Sequence, residues 1–436
     1  EDPRQLVDHA RLAAGDHQGA DGFQLPAGAD VTGLRTGAGE RLPVAECVGL
    51  VAAERLVSRV DLPGFDNSAM DGYAVQAADL VRAGAGRGRG VRLQVIGHLA
   101  AGDAPTEAVR PGTAIQIMTG APLPPGADAV VPVEDTYGGA KLVTITKTVP
   151  AGRHIRRQGE DLAAGSVVVS PGDLLTARRI GLVAAAGHGE VLVHPRPRVA
   201  VVSTGAELVA PGADLAPGQI YDSNSHLLAA AVTAVGGLTA YRGSIGDDPE
   251  MVRAELARLV TQVDVIITSG GVSMGVHDVI KDVLRDSGTV EFVQVAMQPG
   301  KPQGLGVLLD GERRVPFFGL PGNPVSAAVS FTIFVRPVLR RMLGLEQPET
   351  TTVSAELTAG MRSPAGKVQF ARARARMLPN DRLGAEPLAG QGSHFVADLA
   401  EANLLLIIPP DTTELSAGDV VHAILLEDDD GGVTAR

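Results

Sequence analysis

The sequence predicts a multidomain chain of α/β plus β class, elongated, with a doubly wound, mostly parallel sheet domain, a β-rich domain ahead of it and a small C-terminal β domain. Three observations carry that expectation. A length of 436 residues exceeds what one core serves at about 150 residues per domain. Between 197 and 346, short apolar runs alternate with helical stretches, whereas the flanking regions show runs of period two separated by turns. With 44% apolar and 20% charged residues, the chain has the composition of a folded protein and not of a disordered one.

Residues 1–50 open with a helix-like pattern from Gln5, Leu6 and Val7 and pass through a glycine-rich stretch at 15–39; with 167–196 they make the expected N-terminal helical or linker domain. Residues 51–166 form the β-rich domain, in which Val91, Leu93 and Val95 alternate with Arg92 and Gln94, and Leu142, Val143, Thr144 and Ile145 make a second half-buried strand. The Gly, Ala and Arg alternation at 83–90 reads as a hairpin loop, because no clean apolar strand precedes it and no helix follows.

Residues 197–346 are the α/β domain. Strands are expected at 198–203, 241–245, 263–267, 290–295 and 315–318. Helices are expected after Asn224 up to Gly236, from Pro249 to Val260 with Asp248 as N-cap, at 278–285 and at 325–343. The longest uncharged run, 315–335, contains Pro316, Pro321, Asn323 and Pro324, so it reads as strand, turn and buried helix and not as a membrane span. Residues 347–436 form the C-terminal β domain, with strands at 352–357, 368–376, 404–408 and 420–426 and no helical period over eleven residues.

A net charge of −12 argues against nucleic-acid binding, which rests on clustered Lys and Arg. Nine Phe, four Tyr and no Trp leave little for base stacking. The single cysteine, Cys47, excludes an intrachain disulfide and fits a reducing compartment, so a cytoplasmic location is expected, with no membrane partner and no signal-peptide pattern.

Ligands of a doubly wound sheet sit beyond the carboxyl ends of its strands. Three loops fall there: Ser203, Thr204 and Gly205 after the first strand; Ser269, Gly270, Gly271 and Ser273 after the third; Pro321, Gly322, Asn323 and Pro324 after the strand at 315. Glycine after a strand is more often only a turn, but three such loops on one sheet suit a phosphate or pterin-phosphate ligand. Glu207, Asp222, Asp247, Asp248 and Asp278 crowd the same edge. Some are caps; the others would repel a phosphate unless a hard cation such as Mg²⁺ bridges the two. Lys301, one of five lysines, is either a solvated loop cation or a phosphate partner. Arg372, Arg374 and Arg376 share a strand face that is either solvated or anion-facing. No His-Glu-x-x-His spacing occurs, and Pro302 after Lys301 rules out a Walker loop.

Together these segments resemble the molybdopterin molybdenumtransferase family, which is similar to the C-terminal domain of gephyrin. The likeness runs from about 62 to 343 and more loosely to the end of the chain, through 65–74, 117–122, 155–161, 203–208, 218–222, 246–249, 268–275, 299–302 and 320–326 in the family's order. It implies insertion of molybdate into adenylylated molybdopterin, with Mg²⁺-dependent hydrolysis of the adenylate and release of AMP. It also implies an elongated homodimer whose site lies between the α/β domain of one subunit and the β-rich domain of the other, with an adenylyltransferase supplying the substrate.

Carried over by motif, Asp71, Thr119, Asp161, Glu207, Asp247 and Asp278 are the implied catalytic positions, with Glu207, Asp247 and Asp278 also implied to hold the metal. Lys301 and the loop amides are implied to hold the pterin phosphate, Arg156 and Arg372 to help hold molybdate or other ligand anions, and Ser393 to be a further binding position. Two departures stand out: Ala206 where the family often has an acid or amide, and Gln298 where a second lysine is common. The competing readings are the adenylyltransferase, which shares the α/β domain, and a catalytically silent gephyrin-like scaffold.

Overall fold

The structure, a computed structural model, describes residues 39–82, 90–272, 278–287, 289–345, 352–379 and 381–426. The expected helix near Gln5, the glycine-rich stretch up to residue 38, residues 83–89 of the loop expected at 83–90 and Ser273 lie outside the described residues. The chain divides into two compact units, one made of Arg41–Val48 and Glu54–Leu192, the other containing Gly49–Ala53 and the chain from Val193 onward. The four-domain division, 1–50 with 167–196, 51–166, 197–346 and 347–436, is proposed as a finer partition. Among the described residues no helix is long and apolar enough to cross a membrane.

In the first unit, β1 (Gly72–Val75), β2 (Val91–Leu99), β3 (Thr113–Ile117), β4 (Ala129–Pro132), β5 (Thr136–Gly138) and β6 (Leu142–Ile145) form one sheet in the order β4-β1-β3-β2-β6-β5. The period-two pattern decides which face is buried: Val91 and Leu93 turn inward with Val143 and Ile145, while Arg92 and Gln94 face out. Further along, α1 (Ala177–Ala185) starts at Thr176, whose hydroxyl accepts the N–H of Arg179.

In the second unit, β7 (Arg198–Thr204), β8 (Leu238–Ile245), β9 (Val265–Ser269), β10 (Val290–Gln294), β11 (Pro302–Asp310) and β12 (Arg313–Leu320) are ordered β8-β7-β9-β12-β11-β10. The first four run parallel, and β11 is antiparallel to both its neighbours. Helices cover both faces because successive β7 residues point to opposite sides. Val199 and Val201 pack with Leu228 and Val232 of α2 (Asn224–Ala234). Ala200 and Val202 pack with Val252 and Leu256 of α3 (Pro249–Val260) and Ile280 of α4 (Val279–Leu284).

β11 was not among the expected strands. It opens with Pro302 and carries Gly304 and Gly306, which mask a strand signal. Gly306 is there for close approach: a Cβ added to it would lie 2.1 Å from the Thr289 carbonyl oxygen.

The helix expected at 325–343 is α5, running through Pro324–Ser330, a π-helical turn Phe331–Val335 and Arg336–Met342. Pro337 lacks an N–H and its ring would crowd the carbonyl four residues back, so the wider turn just before it relieves that conflict.

The C-terminal strands β13 (Thr352–Leu357), β14 (Val368–Met377), β15 (Leu383–Pro387), β16 (Leu404–Ile408) and β17 (Val420–Leu425) pair in the cycle β14-β15-β13-β17-β16-β14, a closed ring. β15 and the short helix α6 (Val396–Glu401) were not anticipated.

Asp248 is the cap that α3 was expected to have, its carboxylate accepting the Glu250 N–H at 2.9 Å. Asp248→Ala should therefore cost roughly 1 kcal/mol, read as a lower urea midpoint at constant slope; an unchanged midpoint would deny the cap.

Candidate active site

Strand register brings the three loops together. Ser203 on β7 lies beside Ser269 on β9, and Ser269 beside Leu320 on β12, so all three strands end at one level. Beyond them opens a cleft of about 630 Å³, lined by Ser203, Thr204 and Gly205, by Ser269, Gly270 and Gly271, and by Pro321, Gly322, Asn323 and Pro324. Gly270, at φ +94°, closes the gap to the first loop: a Cβ there would meet the Thr204 carbonyl oxygen at 2.7 Å.

A buried polar network ties these loops to α2. The Asn224 amide donates to Ser269 Oγ (2.8 Å) and to the Gly322 carbonyl (2.7 Å), and Ser269 Oγ donates to the Pro321 carbonyl (3.2 Å). Asp222 accepts from Ser203 Oγ (2.8 Å) and the Ser225 N–H (3.0 Å). Two buried oxygens of the cleft wall, Thr204 Oγ1 and Asn224 Oδ1, find no partner among the described residues. Buried polar atoms are normally satisfied, so these two mark where a polar ligand would dock.

Glu207, Asp247 and Asp278 all line this cleft. Glu207 and Asp247 are exposed and Asp278 is buried at the start of α4. Among the described residues, no three His, Cys, Asp or Glu gather as a preformed metal centre. Asp247 is engaged with the Ala206 N–H at 3.1 Å, and Glu207 folds over Gly205, where an added Cβ would lie 2.6 Å from Oε2. An all-oxygen set still suits Mg²⁺, which usually takes one or two carboxylates and completes its shell with water and substrate phosphate.

A second cavity of about 440 Å³ adjoins the first, sharing Pro302, Ser326 and His394, and is lined by Gln298, Lys301, Lys367 and Ser393. Asn323 reaches across to it, donating to Ser393 Oγ at 3.0 Å. Arg372 is placed differently from the two readings made for it. It is 1% exposed, and its guanidinium donates to the carbonyls of Gly390, Gly392 (3.0 Å) and Phe395 (3.3 Å). Burial lowers its pKa from the usual value, with Asp398 acting the other way. It therefore props the loop that carries Ser393, while Arg374 and Arg376 form ion pairs with Glu386 and Glu401.

The remaining expected positions belong to the first unit. Asp71 Oδ1 accepts both the N–H and the hydroxyl of Thr119, at 2.7 and 2.9 Å, and these two bonds hold its carboxyl below the ordinary carboxylate pKa. Arg156 lies opposite Asn67 in a two-residue pairing and is exposed, and the Asp161 N–H donates to the Leu62 carbonyl. Asp66 holds the neighbouring turn by accepting from Arg157 and from the Gln158 N–H.

Asn224, Ser326 and His394 were missed from the sequence as site residues. Asn224 could have been found from its place at the start of a helix that follows the first ligand loop; the other two carry no local signal.

Three family models match the chain: "MoeA N-terminal region (domain I and II)" over residues 23–187, "Probable molybdopterin binding domain" over 200–341 and "MoeA C-terminal region (domain IV)" over 354–426. Molybdopterin molybdenumtransferase 2 of Mycobacterium tuberculosis is 47% identical over 384 residues, covering 86% of this chain and 92% of its own. Molybdopterin molybdenumtransferase 1 of the same organism is 37% identical over 408 residues, covering 88% and 94%. Two solved structures of the molybdopterin biosynthesis MoeA protein from Pyrococcus horikoshii superpose with a TM-score of 0.72 each, at 35% and 29% identity, covering 91% and 88% of this chain and 96% and 94% of theirs. With its three successive regions matched in order and its sheet, ring and cleft in place, the chain belongs to the molybdopterin molybdenumtransferase (MoeA) family.

Proposed function

We propose that this protein inserts molybdate into adenylylated molybdopterin, with Mg²⁺-dependent hydrolysis of the adenylate and release of AMP, giving molybdenum cofactor. The observation that carries the reading is a single cleft in which three carboxylates face hydroxyl- and glycine-rich loops, with a lysine pocket adjoining. Carboxylates beside an anion site are unfavourable unless the ligand brings a cation with it.

In this reading Gly270, Gly271 and Gly322 let the pterin-phosphate end approach the backbone, and Thr204 Oγ1 and Asn224 Oδ1 take its polar groups. Lys301 pairs with a ligand oxyanion, and Ser393 donates beside it. Glu207, Asp247 and Asp278 would hold Mg²⁺ together with phosphate oxygens and water. When bound, the ion would neutralise charge at the scissile anhydride. Asp71, kept ionised by Thr119, serves as a fixed acceptor, with Arg156 and Asp161 on the neighbouring turn. The homodimer, the adenylyltransferase that supplies the substrate and cytoplasmic residence belong to the same proposal.

Glu207→Ala should reduce molybdate-dependent AMP release by about a hundredfold, a typical loss for one electrostatic group at a reacting centre, with adenylylated molybdopterin still bound. Unchanged release would take Glu207 off the reaction path. AMP release should also rise from background as Mg²⁺ is titrated into chelator-treated protein; full rate in excess chelator would leave the three acids as loop anchors only.

A further inference from the structure

We infer that Gln303 is a positioning residue for Lys301: its buried carboxamide fixes the turn at 299–301 from which the lysine reaches its anion. The inference rests on the proposed role of Lys301 as a ligand partner.

Lys301 is exposed on a turn just before β11, so the place of its ammonium depends on how firmly the backbone beneath it is held. The two ends of the turn are tied by backbone pairing. Met297 and Gln298 lie beside Val368 and Gln369, and the Lys301 carbonyl accepts the Val295 N–H at 2.8 Å. In the middle, the hold comes from Gln303. Its side chain is 0% exposed, and its amide nitrogen donates to the Gly300 carbonyl at 2.7 Å and to Ser330 Oγ at 2.6 Å. Both amide protons are thereby used, one on the turn and one on α5.

Ser330 is equally buried and stands at the end of Pro324–Ser330, immediately before the π-helical turn. Gly300 rests directly on it. A Cβ at Gly300 would lie 2.9 Å from Ser330 Oγ and 3.1 Å from Met297 Cε, and the residue's φ of +101° suits glycine. The same helix begins at Asn323 and Pro324, which line the main cleft. Gln303 thus references the lysine turn to the helix whose start forms the other half of the site. A buried carbonyl deprived of its donor seeks another arrangement, and a displacement of about 1 Å in a binding group can cost a hundredfold.

The test is a double-mutant cycle on the full-length protein, reading KM for adenylylated molybdopterin and kcat of AMP release well below the melting temperature. Gln303→Leu keeps the bulk and removes both donors. It should raise KM by about tenfold and change kcat less than about twofold, the pattern for loss of uniform binding. Lys301→Met should raise KM at least as much, and Gln303→Leu should add nothing in that background. If Lys301→Met raises KM but Gln303→Leu leaves it unchanged, or multiplies it further by its own full factor, Gln303 does not act through Lys301. If Lys301→Met itself leaves KM unchanged, the assignment of Lys301 fails and the inference with it. Should Gln303→Leu not fold, Ser330→Ala enters the same cycle, where a KM rise confined to the Lys301 background supports the inference and its absence overturns it.

Discussion

The level ending of three parallel strands is the constraint on which the site depends. Because Ser203, Ser269 and Leu320 stand side by side in the register, each strand hands its chain to a loop at the same height, and each loop leads toward a helix start. One cleft collects all three. The polar network centred on Asn224 then fixes the loops to one another, joining the second to the third in a single residue. Such a buried network is asymmetric in energy: complete, it adds modestly to stability, but a missing partner leaves a desolvated group behind.

Carboxylates of one edge have been sorted by local geometry into different tasks. Asp248 serves a helix, Asp222 is consumed by Ser203 and Ser225, and Asp247 keeps part of its capacity while steadying Ala206. The cost of gathering negative charge is thus met mostly by backbone and hydroxyl donors. In the proposed function, Glu207, Asp247 and Asp278 would then meet a cation carried by the substrate's phosphate.

The doubly wound core was legible because short apolar runs alternate with helical stretches over 197–346 and because Asp248 and Pro249 announce a helix. The extra strand β11 was not, since its proline and two glycines mask the pattern and Gly306 answers to a neighbour outside the strand, Thr289. For Arg372, period two placed it correctly on a face with Arg374 and Arg376, yet spacing carries no information about a loop folding over one end of that face. The acids of the site could be assigned to a strand edge from sequence. Their partners could not, because the bonds of Asp222 to Ser203, Asp247 to Ala206 and Asp71 to Thr119 join residues 19, 41 and 48 apart, follow from packing and leave no local pattern. Gln303 is the same case: an amide one residue into an unrecognised strand, meaningful only once Ser330 is beside it.

The closed ring of β13 to β17 also limits where a strand of another molecule could add. Among the described residues each of those strands has a neighbour on both sides, so little strand edge is left for a stray segment to extend, and the shortest join is the one between β13 and β15 at Glu356 and Leu357. Strand addition from another molecule is therefore easiest where that two-residue join opens, which ties aggregation through this region to local unfolding at one seam.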